Sequence, residues 1–516
     1  MTEGGGNLDE LFGDRQKKFM QGLDTEDFKR KKDDKELELR KQKRNDTLSR
    51  RRNITEIDHD WIKVNEVYKA HYTLTDLPEV VVAANSDKDD LRLFAAQALR
   101  KMLSLQENPP IQQVIDTGVL SKLIDGIQRF DFSQLQYESA WAITNIASGT
   151  SMHTQTIIEK GAVPLLINLL HSTNETVRDQ AAWALGNIGG DAAHCRDLIL
   201  QHGGLALLMN CFETATRQST IKNSSWAISN LCRGKPPPKF DLVFPSLKVL
   251  SKVIKSASDN ELLADCCWAI AHLSDGTKER IQTLIDYDIT ETLLQLAVCN
   301  FHVVQLPALR CCGNIASGSN DQTQYAINLG LLNVAKTAID SPRPNIKKEA
   351  VWIISNISAG TVDQIQCLIQ AEVYPKIAMA LTESEYEIKK EALWAVCNAV
   401  AAATPEQVSY LAQCGALLAL CGVLTTQESS MLVVALEGIR HFLEKGKTHF
   451  SATGVNPFAD QVSACGGLDR LERLQSHPNN KVYEKAYKLI VTYFEVEEDE
   501  YDGLLGAIRE CAKFNF

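Results

Sequence analysis

The feature that most constrains this chain is a helical pattern that recurs seven times at an almost constant spacing. In each copy an aromatic or basic residue stands four positions before a polar one, and residues four apart share one face of a helix. We call each pair a rung and the series the ladder. The rungs are Trp141/Asn145, Trp183/Asn187, Trp226/Asn230, Trp268/His272, Arg310/Asn314, Trp352/Asn356 and Trp394/Asn398. Their first members are 42, 43, 42, 42, 42 and 42 residues apart, which indicates an array of one repeated structural unit.

The period and the residues within it predict the architecture of one repeat. About 42 residues with only helical patterns fit the two- or three-helix repeats of HEAT and armadillo arrays. Around Trp183, Gly161 precedes an apolar run, residues 172–175 cap a new helix that reaches Ile188, and Gly189-Gly190 is expected to stop it. The same order recurs as Gly118/Ser133/Trp141, Gly330/Pro344/Trp352 and Gly415/Glu428/Leu436. Strand-type alternation is absent from the sequence, so we expect an all-α solenoid with three helices per repeat.

The composition suits a folded chain with a large buried core, because 44% of its 516 residues are hydrophobic and 23% are charged. No apolar run approaches the roughly 18 residues that a membrane span needs. The N-terminus also lacks the charged-then-apolar order of a secretory signal. We therefore expect an intracellular protein without a membrane partner.

The cysteines and the missing motifs argue against a metal site and against an enzyme. The 14 cysteines are scattered singly or stand as two adjacent pairs, 266–267 and 311–312, with no Cys-x-x-Cys spacing. We interpret them as reduced, buried thiols. The sequence has no Gly-rich phosphate loop, zinc-binding His/Cys spacing or nucleophile elbow. It therefore predicts a binding protein without a cofactor.

Charge divides the chain between a basic start and an acidic remainder. Residues 1–53 contain 15 Lys/Arg and 12 Asp/Glu, whereas the remaining residues contain 39 and 53. The basic residues form three clusters, Lys29-Arg30-Lys31-Lys32, Arg40-Lys41-Gln42-Lys43-Arg44 and Arg50-Arg51-Arg52. At the other end of the chain, residues 495–502 are acidic. We expect the two ends to attract each other.

Three interpretations of the basic segment are open on sequence alone. It is a solvated tail that improves solubility, a nucleic-acid arm, or a helix that folds on an acidic protein partner. Acidic residues interrupt the run, aromatic residues are missing from it and the rest of the chain is acidic, which disfavours nucleic acid. The spacings Lys32/Glu36 and Glu36/Arg40 support a helix. We favour the acidic protein partner.

The ladder is either a surface groove or part of the core, since tryptophan at helical spacing is more often buried. In residues 140–147 the apolar stripe contains Ile143 and Ile146, whereas Trp141 and Asn145 lie on a different face. Burying the row of Asn amides would leave donors and acceptors unpaired, at roughly 1–3 kcal/mol each. The sequence therefore predicts that the ladder faces solvent and forms a groove.

Such a groove suits an extended, basic peptide. A strand rises about 3.3 Å per residue and helices pack about 8–10 Å apart, so one rung serves about two to three peptide residues. Each Asn amide can hold the peptide backbone, and neighbouring indoles form slots for the stems of Lys or Arg. We expect acidic residues near the ladder to take the charge, namely Asp191, Asp265, Asp275, Glu349 and Glu391.

The ladder has two intact stretches, because the Trp/Asn pattern fails at rungs 268/272 and 310/314. The first stretch has three rungs and starts at Trp141. The second has two rungs, at Trp352 and Trp394. A ligand with two basic clusters joined by a spacer would engage both stretches and gain avidity.

The first stretch resembles importin-α, the armadillo-repeat adaptor of nuclear import. The similar segments are Trp141-Ala-Ile-Thr-Asn145-Ile-Ala-Ser-Gly-Thr150, Trp183-Ala-Leu-Gly-Asn187-Ile-Gly-Gly-Asp191 and Trp226-Ala-Ile-Ser-Asn230-Leu-Cys-Arg233. The resemblance covers nearly the whole chain and implies a right-handed armadillo solenoid of about ten three-helix repeats. It also implies an adaptor that binds mono- and bipartite nuclear localisation signals and shuttles between cytoplasm and nucleus.

The resemblance implies a major and a minor signal-binding site. The major site would contain Trp141, Asn145, Gly149, Thr154, Gln180, Trp183, Asn187, Asp191, Trp226, Asn230 and Arg233. Within it, Gly149, Thr154 and Asp191 would grip the key lysine. The minor site would contain Arg310, Asn314, Thr323, Glu349, Trp352, Asn356, Glu391, Trp394 and Asn398. Arg310 in place of tryptophan belongs to the family pattern, whereas His272 departs from it.

The resemblance assigns the basic start to importin-β binding and to self-inhibition. Importin-β would bind Lys29, Arg30, Lys31, Lys32, Arg40, Lys41, Lys43 and Arg44. Arg50, Arg51 and Arg52 would occupy the major site in place of cargo. The family has lysine where this chain has Arg50, and an arginine head is broader than a lysine ammonium. We therefore expect weak self-inhibition.

The implied layout has four parts. They are a binding and autoinhibitory segment at 1–55, a linker at 56–74, the repeat array at 75–494 and an acidic tail at 495–516. The closing repeat and the tail resemble the surface that a recycling exportin with Ran-GTP grips, and nuclear pore proteins are further candidate partners. The alternative is an armadillo scaffold for signalling or adhesion partners without a role in import. That alternative leaves the ladder asparagines and the basic start without a purpose.

Overall fold

The computed structural model describes residues 72–105, 108–452 and 454–494. Contacts divide the described chain into an N-terminal unit of residues 72–276 and a C-terminal unit of residues 277–494. The predicted basic segment 1–55, with its partner-binding and self-inhibitory residues, lies outside the described residues. The acidic tail 495–516 lies outside them as well.

The N-terminal unit contains 14 α-helices and a short 3-10 helix, Leu74–Asp76, within its described residues. The α-helices are α1 (Leu77–Ala84), α2 (Asp89–Leu103), α3 (Ile111–Asp116), α4 (Leu120–Ile127), α5 (Ser133–Ala147), α6 (Ser151–Glu159), α7 (Ala162–Leu169), α8 (Glu175–Asp191), α9 (Ala193–Gln201), α10 (Gly204–Thr214), α11 (Gln218–Cys232), α12 (Phe240–Val243), α13 (Ser246–Ser256) and α14 (Asn260–Ser274). After the first two helices they form triplets, each of which ends in its longest helix. This confirms the predicted three-helix repeat.

The C-terminal unit contains 15 α-helices in its described residues, which form five further triplets. They are α15 (Lys278–Asp286), α16 (Thr290–Ala297), α17 (His302–Ala316), α18 (Asn320–Asn328), α19 (Leu331–Ala338), α20 (Pro344–Ser358), α21 (Val362–Gln370), α22 (Tyr374–Glu383), α23 (Tyr386–Ala402), α24 (Pro405–Gln413), α25 (Ala416–Val423), α26 (Ser429–His449), α27 (Pro457–Ala464), α28 (Gly467–Leu474) and α29 (Asn480–Tyr493). Strands are absent from the described parts of both units.

The residues predicted to start helices do so. Gly161, Gly330 and Gly415 precede second helices with φ of 73°, 105° and 84°, in the left-handed region that favours glycine. The side chain of Asn174 caps α8, because its oxygen accepts the backbone N–H of Thr176 at 3.0 Å. Glycines with positive φ and capping side chains, both recognisable in the sequence, thus determine where the helices of a repeat begin.

The expected stop at Gly189-Gly190 is wrong, since α8 continues to Asp191. The two glycines are needed inside the helix because α11 lies close to it. A Cβ on Gly189 would come within 2.9 Å of Leu231, and one on Gly190 within 3.0 Å of the Asn230 amide nitrogen. Close approach of two helices, rather than termination, explains this glycine pair.

Glutamines link the first helices of the C-terminal unit. Gln364 Oε1 accepts the backbone N–H of Thr361 at 3.2 Å, which caps α21, while its Nε2 donates to the carbonyl of Asn320 at the start of α18, at 2.8 Å. Gln407 does the same one repeat later, where Nε2 donates to the carbonyl of Val362 at 3.1 Å. One side chain therefore caps its own helix and holds the neighbouring repeat.

The third helices pack side by side in each unit. In the N-terminal unit the order is α2, α5, α8, α11 and α14, and in the C-terminal unit it is α17, α20, α23, α26 and α29. An interior third helix also packs against the second helix of its own repeat. As a result, every residue from 140 to 147 in α5 is buried. Ladder residues therefore lie largely between helices.

The described cysteines are free thiols, of which nine are buried and four are half-buried. Burial raises the pKa of Cys232 and of Cys312 to about 12, so both thiols stay protonated and unreactive. The interpretation as core thiols is confirmed for these residues. Within the described ranges, no helix is long and apolar enough to cross a bilayer. The same ranges hold no group of three His, Cys, Asp or Glu side chains suited to a metal ion.

Candidate functional site

The ladder residues lie on third helices, and within each unit asparagines tie a third helix to the preceding one. Asn187 on α8 donates from Nδ2 to the carbonyl of Thr144 on α5 at 3.1 Å. Equivalent bonds run from Asn230 to Gly186 (2.9 Å), from Asn356 to Gly313 (3.1 Å) and from Asn398 to Ser355 (3.1 Å). The Thr144 carbonyl also accepts the backbone N–H of Ser148 at 3.1 Å, because a carbonyl oxygen has two lone pairs.

The prediction that the ladder faces solvent is wrong for most of each side chain. Trp183 is 3% exposed and Trp141 is 8% exposed, while Asn145 and Asn230 are exposed by 2% and 5%. The remaining ladder tryptophans are half-buried. The expected cost of unpaired amides does not arise, because hydrogen-bond partners come from outside each amide's own helix. The carbonyls of the neighbouring helix satisfy these amides, so burial is not costly.

Each of four ladder asparagines nevertheless keeps hydrogen-bonding capacity. An amide nitrogen carries two N–H groups, and the amide oxygen has two lone pairs. Bonds to the preceding helix use one N–H in Asn187, Asn230 and Asn398, and both in Asn145. The described chain supplies no donor to the amide oxygens of Asn145, Asn187, Asn230 and Asn398. None of these oxygens is sealed off from solvent without a partner. An acceptor thus remains on each of these four asparagines, and a donor remains on Asn187, Asn230 and Asn398.

Two glycines provide the space in which ladder indoles pack. A Cβ on Gly186 would collide with the six-membered ring of Trp226, and one on Gly313 would collide with that of Trp352. Both glycines stand directly before a ladder asparagine. The next repeat therefore places its indole face on the bare backbone of the preceding rung.

An arginine lies over the first indole of the N-terminal unit, and the sequence pattern of the rungs did not reveal it. The guanidinium carbon of Arg100 is 4.5 Å from the ring centroid of Trp141, and Arg100 pairs with Glu138 at 2.5 Å. Asn145 donates to the Ser104 hydroxyl at 2.9 Å and to the Arg100 carbonyl at 3.4 Å, as later asparagines donate to the preceding third helix. Arg100/Ser104 is thus a rung before the ladder. Its distance of 41 residues from the Trp141 rung was the available signal.

The C-terminal unit starts its ladder in the same way. The guanidinium carbon of Arg310 is 5.1 Å from the Trp352 centroid, and Arg310 pairs with the carboxylate of Glu349. The Glu349 side chain is 4% exposed, and its second oxygen is buried with no hydrogen-bond donor among the described residues. Glu349 therefore neutralises a cation of its own chain, although the sequence predicted that it would take the charge of a ligand.

The three residues predicted to grip a lysine converge at the C-terminal end of α5. Ser151 donates to Asp191 Oδ1 at 2.9 Å, and the Thr154 hydroxyl donates to the carbonyl of Ala147 at 3.5 Å. Gly149 lies between these contacts in the chain. The end of a helix carries negative partial charge. This corner therefore combines a carboxylate with helix carbonyls and favours a cation.

Thr323 has the position of Thr154 in the C-terminal unit. Its hydroxyl donates to the carbonyls of Ser319 at 3.0 Å and Ala316 at 3.2 Å, and the residue is fully buried. Four residues after Asn356 the chain has Gly360, where the first stretch has Asp191 after Asn187. The C-terminal corner therefore has the threonine without the carboxylate.

Two predicted residues at the side of the first stretch connect repeats. Gln180 donates from Nε2 to the Thr144 hydroxyl at 2.8 Å, and its buried Oε1 has no donor within the described part of the chain. Arg233 donates from Nη2 to the carbonyl of Gly190 at 2.6 Å. Arg233 thus places a cation after the third rung, where a basic side chain would be repelled.

Glu391 stands three residues before Trp394 on α23 and is half-buried. Burial raises the pKa of its carboxyl group to about 7, and the nearby Glu349 carboxylate adds to the rise. Lys390, Lys348 and Arg310 oppose the rise. Near neutral pH this carboxyl group therefore exists in both protonation states.

Comparison with known proteins adds sequence relatives to this geometry. Residues 15–97 match the Importin beta binding domain. Residues 107–148, 150–189, 193–233 and 319–359 match the Armadillo/beta-catenin-like repeat, and residues 456–506 match the Atypical Arm repeat. Importin subunit alpha-3 of Arabidopsis thaliana is 40% identical over 499 residues, which cover 95% of this chain and 93% of that protein. The chain belongs to the importin subunit alpha family.

Other relatives agree with this assignment. Importin subunit alpha-B of Dictyostelium discoideum is 43% identical over 504 residues, which cover 97% of this chain and 96% of that protein. The crystal structure of an engineered protein is similar in fold, with a TM-score of 0.73 at 24% identity, over 81% of this chain and 99% of that one. The resemblance to importin-α and the armadillo fold are therefore confirmed.

Proposed function

We propose that this chain is a nuclear import adaptor that binds extended basic segments of cargo along its ladder and connects them to importin-β. One observation carries the proposal. Three consecutive Trp/Asn rungs with free amide oxygens, at Trp141, Trp183 and Trp226, occur in a chain whose start matches the Importin beta binding domain. The rungs explain the binding of a long ligand, and the N-terminal segment explains how the chain connects that ligand to importin-β.

The asparagines suit the backbone of the ligand. An extended peptide presents one N–H and one carbonyl per residue, spaced about 3.3 Å apart. Each free amide oxygen of Asn145, Asn187 and Asn230 can accept a peptide N–H, and the second amide N–H of Asn187 and of Asn230 can donate to a peptide carbonyl. Such bonds hold a peptide in one register without regard to its side chains.

The indole edges and the acceptors beside them suit basic side chains. Stems of Lys or Arg pack on the half-buried ring of Trp226, and the head groups gain cation–π attraction. At the end of α5, Asp191 takes the charge of a lysine, with Gly149 and Thr154 beside it. Arg233 marks the limit of the basic cluster, because it brings its own positive charge.

The C-terminal unit provides a second, shorter site. Its intact rungs are Trp352/Asn356 and Trp394/Asn398, with Glu391 as the carboxyl group next to them. Arg310 and Asn314 form the preceding rung, whose cation is neutralised by Glu349. A cargo with one basic cluster binds the first stretch, and a cargo with two clusters gains the second.

The segments outside the described residues complete the proposed cycle. The clusters at 29–32 and 40–44 bind importin-β, and residues 50–52 compete weakly with cargo for the first stretch. The chain shuttles between cytoplasm and nucleus. A recycling exportin with Ran-GTP binds its C-terminal repeats. Nuclear pore proteins are further partners. An armadillo scaffold without an import role is the lesser alternative, because it assigns no task to residues 15–97.

The proposal is tested by reconstitution with purified importin-β and a labelled two-cluster basic peptide. We expect a ternary complex with the full chain and none with a chain that lacks residues 1–70. That shorter chain should bind the peptide more tightly, by less than about tenfold. Arg50→Lys in the full chain should weaken peptide binding. Failure of the full chain to bridge the two partners would contradict the adaptor function.

A further inference from the structure

The last two third helices, α26 and α29, enclose a cavity of about 440 Å³ at the end of the C-terminal unit. Its wall contains the cationic side chains of Arg440, Lys481, Lys485 and Lys488 but only two carboxylates, those of Glu437 and Glu484. The formal net charge of the chain is −11. The cavity wall therefore has a surplus of positive charge, although the chain as a whole is negatively charged.

Only part of this positive charge is neutralised within the described chain. The Glu437 carboxylate pairs with Arg440 at 2.6 Å and with Lys485 at 2.6 Å, and Arg440 also pairs with Glu444 at 2.6 Å. Lys481 and Lys488 are exposed, and no carboxylate of the described residues forms an ion pair with either. Two ammonium groups thus remain for an anionic partner.

The lysines form one row along α29. Positions 481, 485 and 488 are four and three residues apart, so they share a helix face, and all three line the cavity. Tyr493, the last residue of α29, also lines it. The segment of the chain after Tyr493 therefore starts at the rim of the cavity.

The segment after α29 is strongly acidic. Residues 495–502 contain six Asp/Glu and no Lys or Arg. From Tyr493 back to Lys481 the helix measures roughly 18 Å at about 1.5 Å per residue. Eight extended residues cover roughly 26 Å at about 3.3 Å each. The acidic stretch is therefore long enough to turn at the end of α29 and run back along the lysine row.

We propose that residues 495–502 of this chain dock on the cavity between α26 and α29, with their carboxylates on Lys481 and Lys488. The stretch begins at the rim, so tethering raises its local concentration to roughly millimolar and even weak attraction is sufficient for occupancy. Docking neutralises the basic surface at the end of the C-terminal unit and replaces it with an acidic one. This contact is independent of cargo binding and of importin-β binding.

Zero-length carbodiimide cross-linking of the full chain, read by peptide mass spectrometry, tests the contact. The reporter is Lys485, whose cross-link to Glu437 serves as an internal measure of correct folding. We expect additional cross-links from Lys485 to residues 495–502. Lys481→Glu with Lys488→Glu should lower these by about fivefold or more through charge repulsion while the Lys485–Glu437 cross-link persists. Lys248→Glu with Lys252→Glu, on exposed residues of α13, should change neither.

Mixing isotope-labelled and unlabelled chains separates the possible occupants. Cross-links within one chain support docking of its own tail. Cross-links only between labelled and unlabelled chains would overturn the proposal in favour of a second copy. An unchanged yield in the Lys481/Lys488 variant would mean that mere proximity along the chain produces the cross-links, and their complete absence would show that the cavity does not hold the tail.

Discussion

The two units carry ladders that begin alike and end differently. Each begins with an arginine over a tryptophan, Arg100 over Trp141 and Arg310 over Trp352, and in each a glutamate pairs with the arginine. In the N-terminal unit three Trp/Asn rungs follow. In the C-terminal unit two follow, and the next positions at the same spacing are Leu436 and Arg440. The number of intact rungs, rather than the helical scaffold, therefore sets the length of ligand that each unit can hold.

The cations at the two ends of each ladder explain why the stretches have limits. The arginine at the start occupies the slot that a basic ligand side chain would need, and its glutamate is no longer available to the ligand. Beyond the last intact Trp/Asn rung stand Arg233 in one unit and Arg440 in the other. Each intact stretch, the proposed acceptor of basic side chains, is thus bounded by positive charge.

The largest expected effect is a difference in stability loss between a tryptophan substitution in the N-terminal unit and one in the C-terminal unit, because their indoles are buried to different extents. Trp183 is 3% exposed, whereas Trp394 is half-buried. Trp183→Ala should lower the free energy of unfolding by about 3–5 kcal/mol, because it leaves a cavity between third helices. Trp394→Ala should cost clearly less. Urea unfolding measures both, and an equal cost would break the comparison.

The second effect tests whether Arg100 and Arg310, which stand at the start of the two ladders, stabilise their units in the same way. Arg310→Ala leaves the buried Glu349 carboxylate without its partner, so we expect a loss of about 3 kcal/mol in unfolding free energy. Arg100→Ala should cost a similar amount through Glu138. Adding Glu349→Gln to Arg310→Ala should recover most of the loss. No recovery in the double variant would mean that packing of Arg310 on Trp352, rather than charge, stabilises the start of the ladder.

A third effect tests the packing of indoles on glycine. Gly186→Ala and Gly313→Ala should each cost about 1–3 kcal/mol, because the new methyl group collides with Trp226 or Trp352. Gly422 on α25 provides the control, since a Cβ there meets no atom within 4 Å. Gly422→Ala should be neutral or slightly stabilising. Thermal unfolding of the three variants decides the matter, and equal behaviour of all three would contradict the proposed close contact.

The smallest expected effect is a pH dependence of peptide binding that the C-terminal unit should show and the N-terminal unit should not. The pKa of Glu391 is raised from its ordinary value of 4.5 to about 7. Between these values the folded chain binds a proton that the unfolded chain does not, so this group's contribution to stability falls as pH rises. A basic ligand prefers the carboxylate, and affinity for a two-cluster peptide should therefore rise several-fold from about pH 6 to about pH 8.

Glu391→Gln should abolish this pH dependence, and a one-cluster peptide, which binds the N-terminal unit, should not show it. Fluorescence anisotropy at several pH values measures both peptides. The same pH slope for both peptides would place the titrating group elsewhere than beside Trp394.

Much of the fold and part of the site could be predicted from the sequence. The ladder period indicated the three-helix repeat, and Gly161 and Asn174 start α7 and α8 as predicted. The exposure of the ladder and the role of Gly189-Gly190 were wrong for one shared reason. Both depend on what the neighbouring repeat brings to the helix, and one helix read by itself does not contain that information.

The sequence did not predict Arg100 as part of the ladder, for a related reason. Its rung lacks both the tryptophan and the asparagine of an intact rung, although its basic-to-polar spacing is that of the ladder. Only its spacing and its contacts with Glu138 and Trp141 place it in the series. Conversely, the predicted partners of a lysine at the end of α5 lie together because neighbouring elements of successive repeats contribute them.

The central claim is that the ladder asparagines of the intact rungs, three in one unit and two in the other, bind the backbone of basic peptides. Calorimetric titration of one-cluster and two-cluster peptides into the Asn187→Ala and Asn398→Ala variants tests it most directly. Each variant loses two ligand hydrogen bonds, which corresponds to roughly tenfold in affinity. Asn187→Ala should weaken both peptides, and Asn398→Ala should weaken only the two-cluster peptide. Equal losses for both peptides in both variants, or no loss in either variant, would contradict the claim.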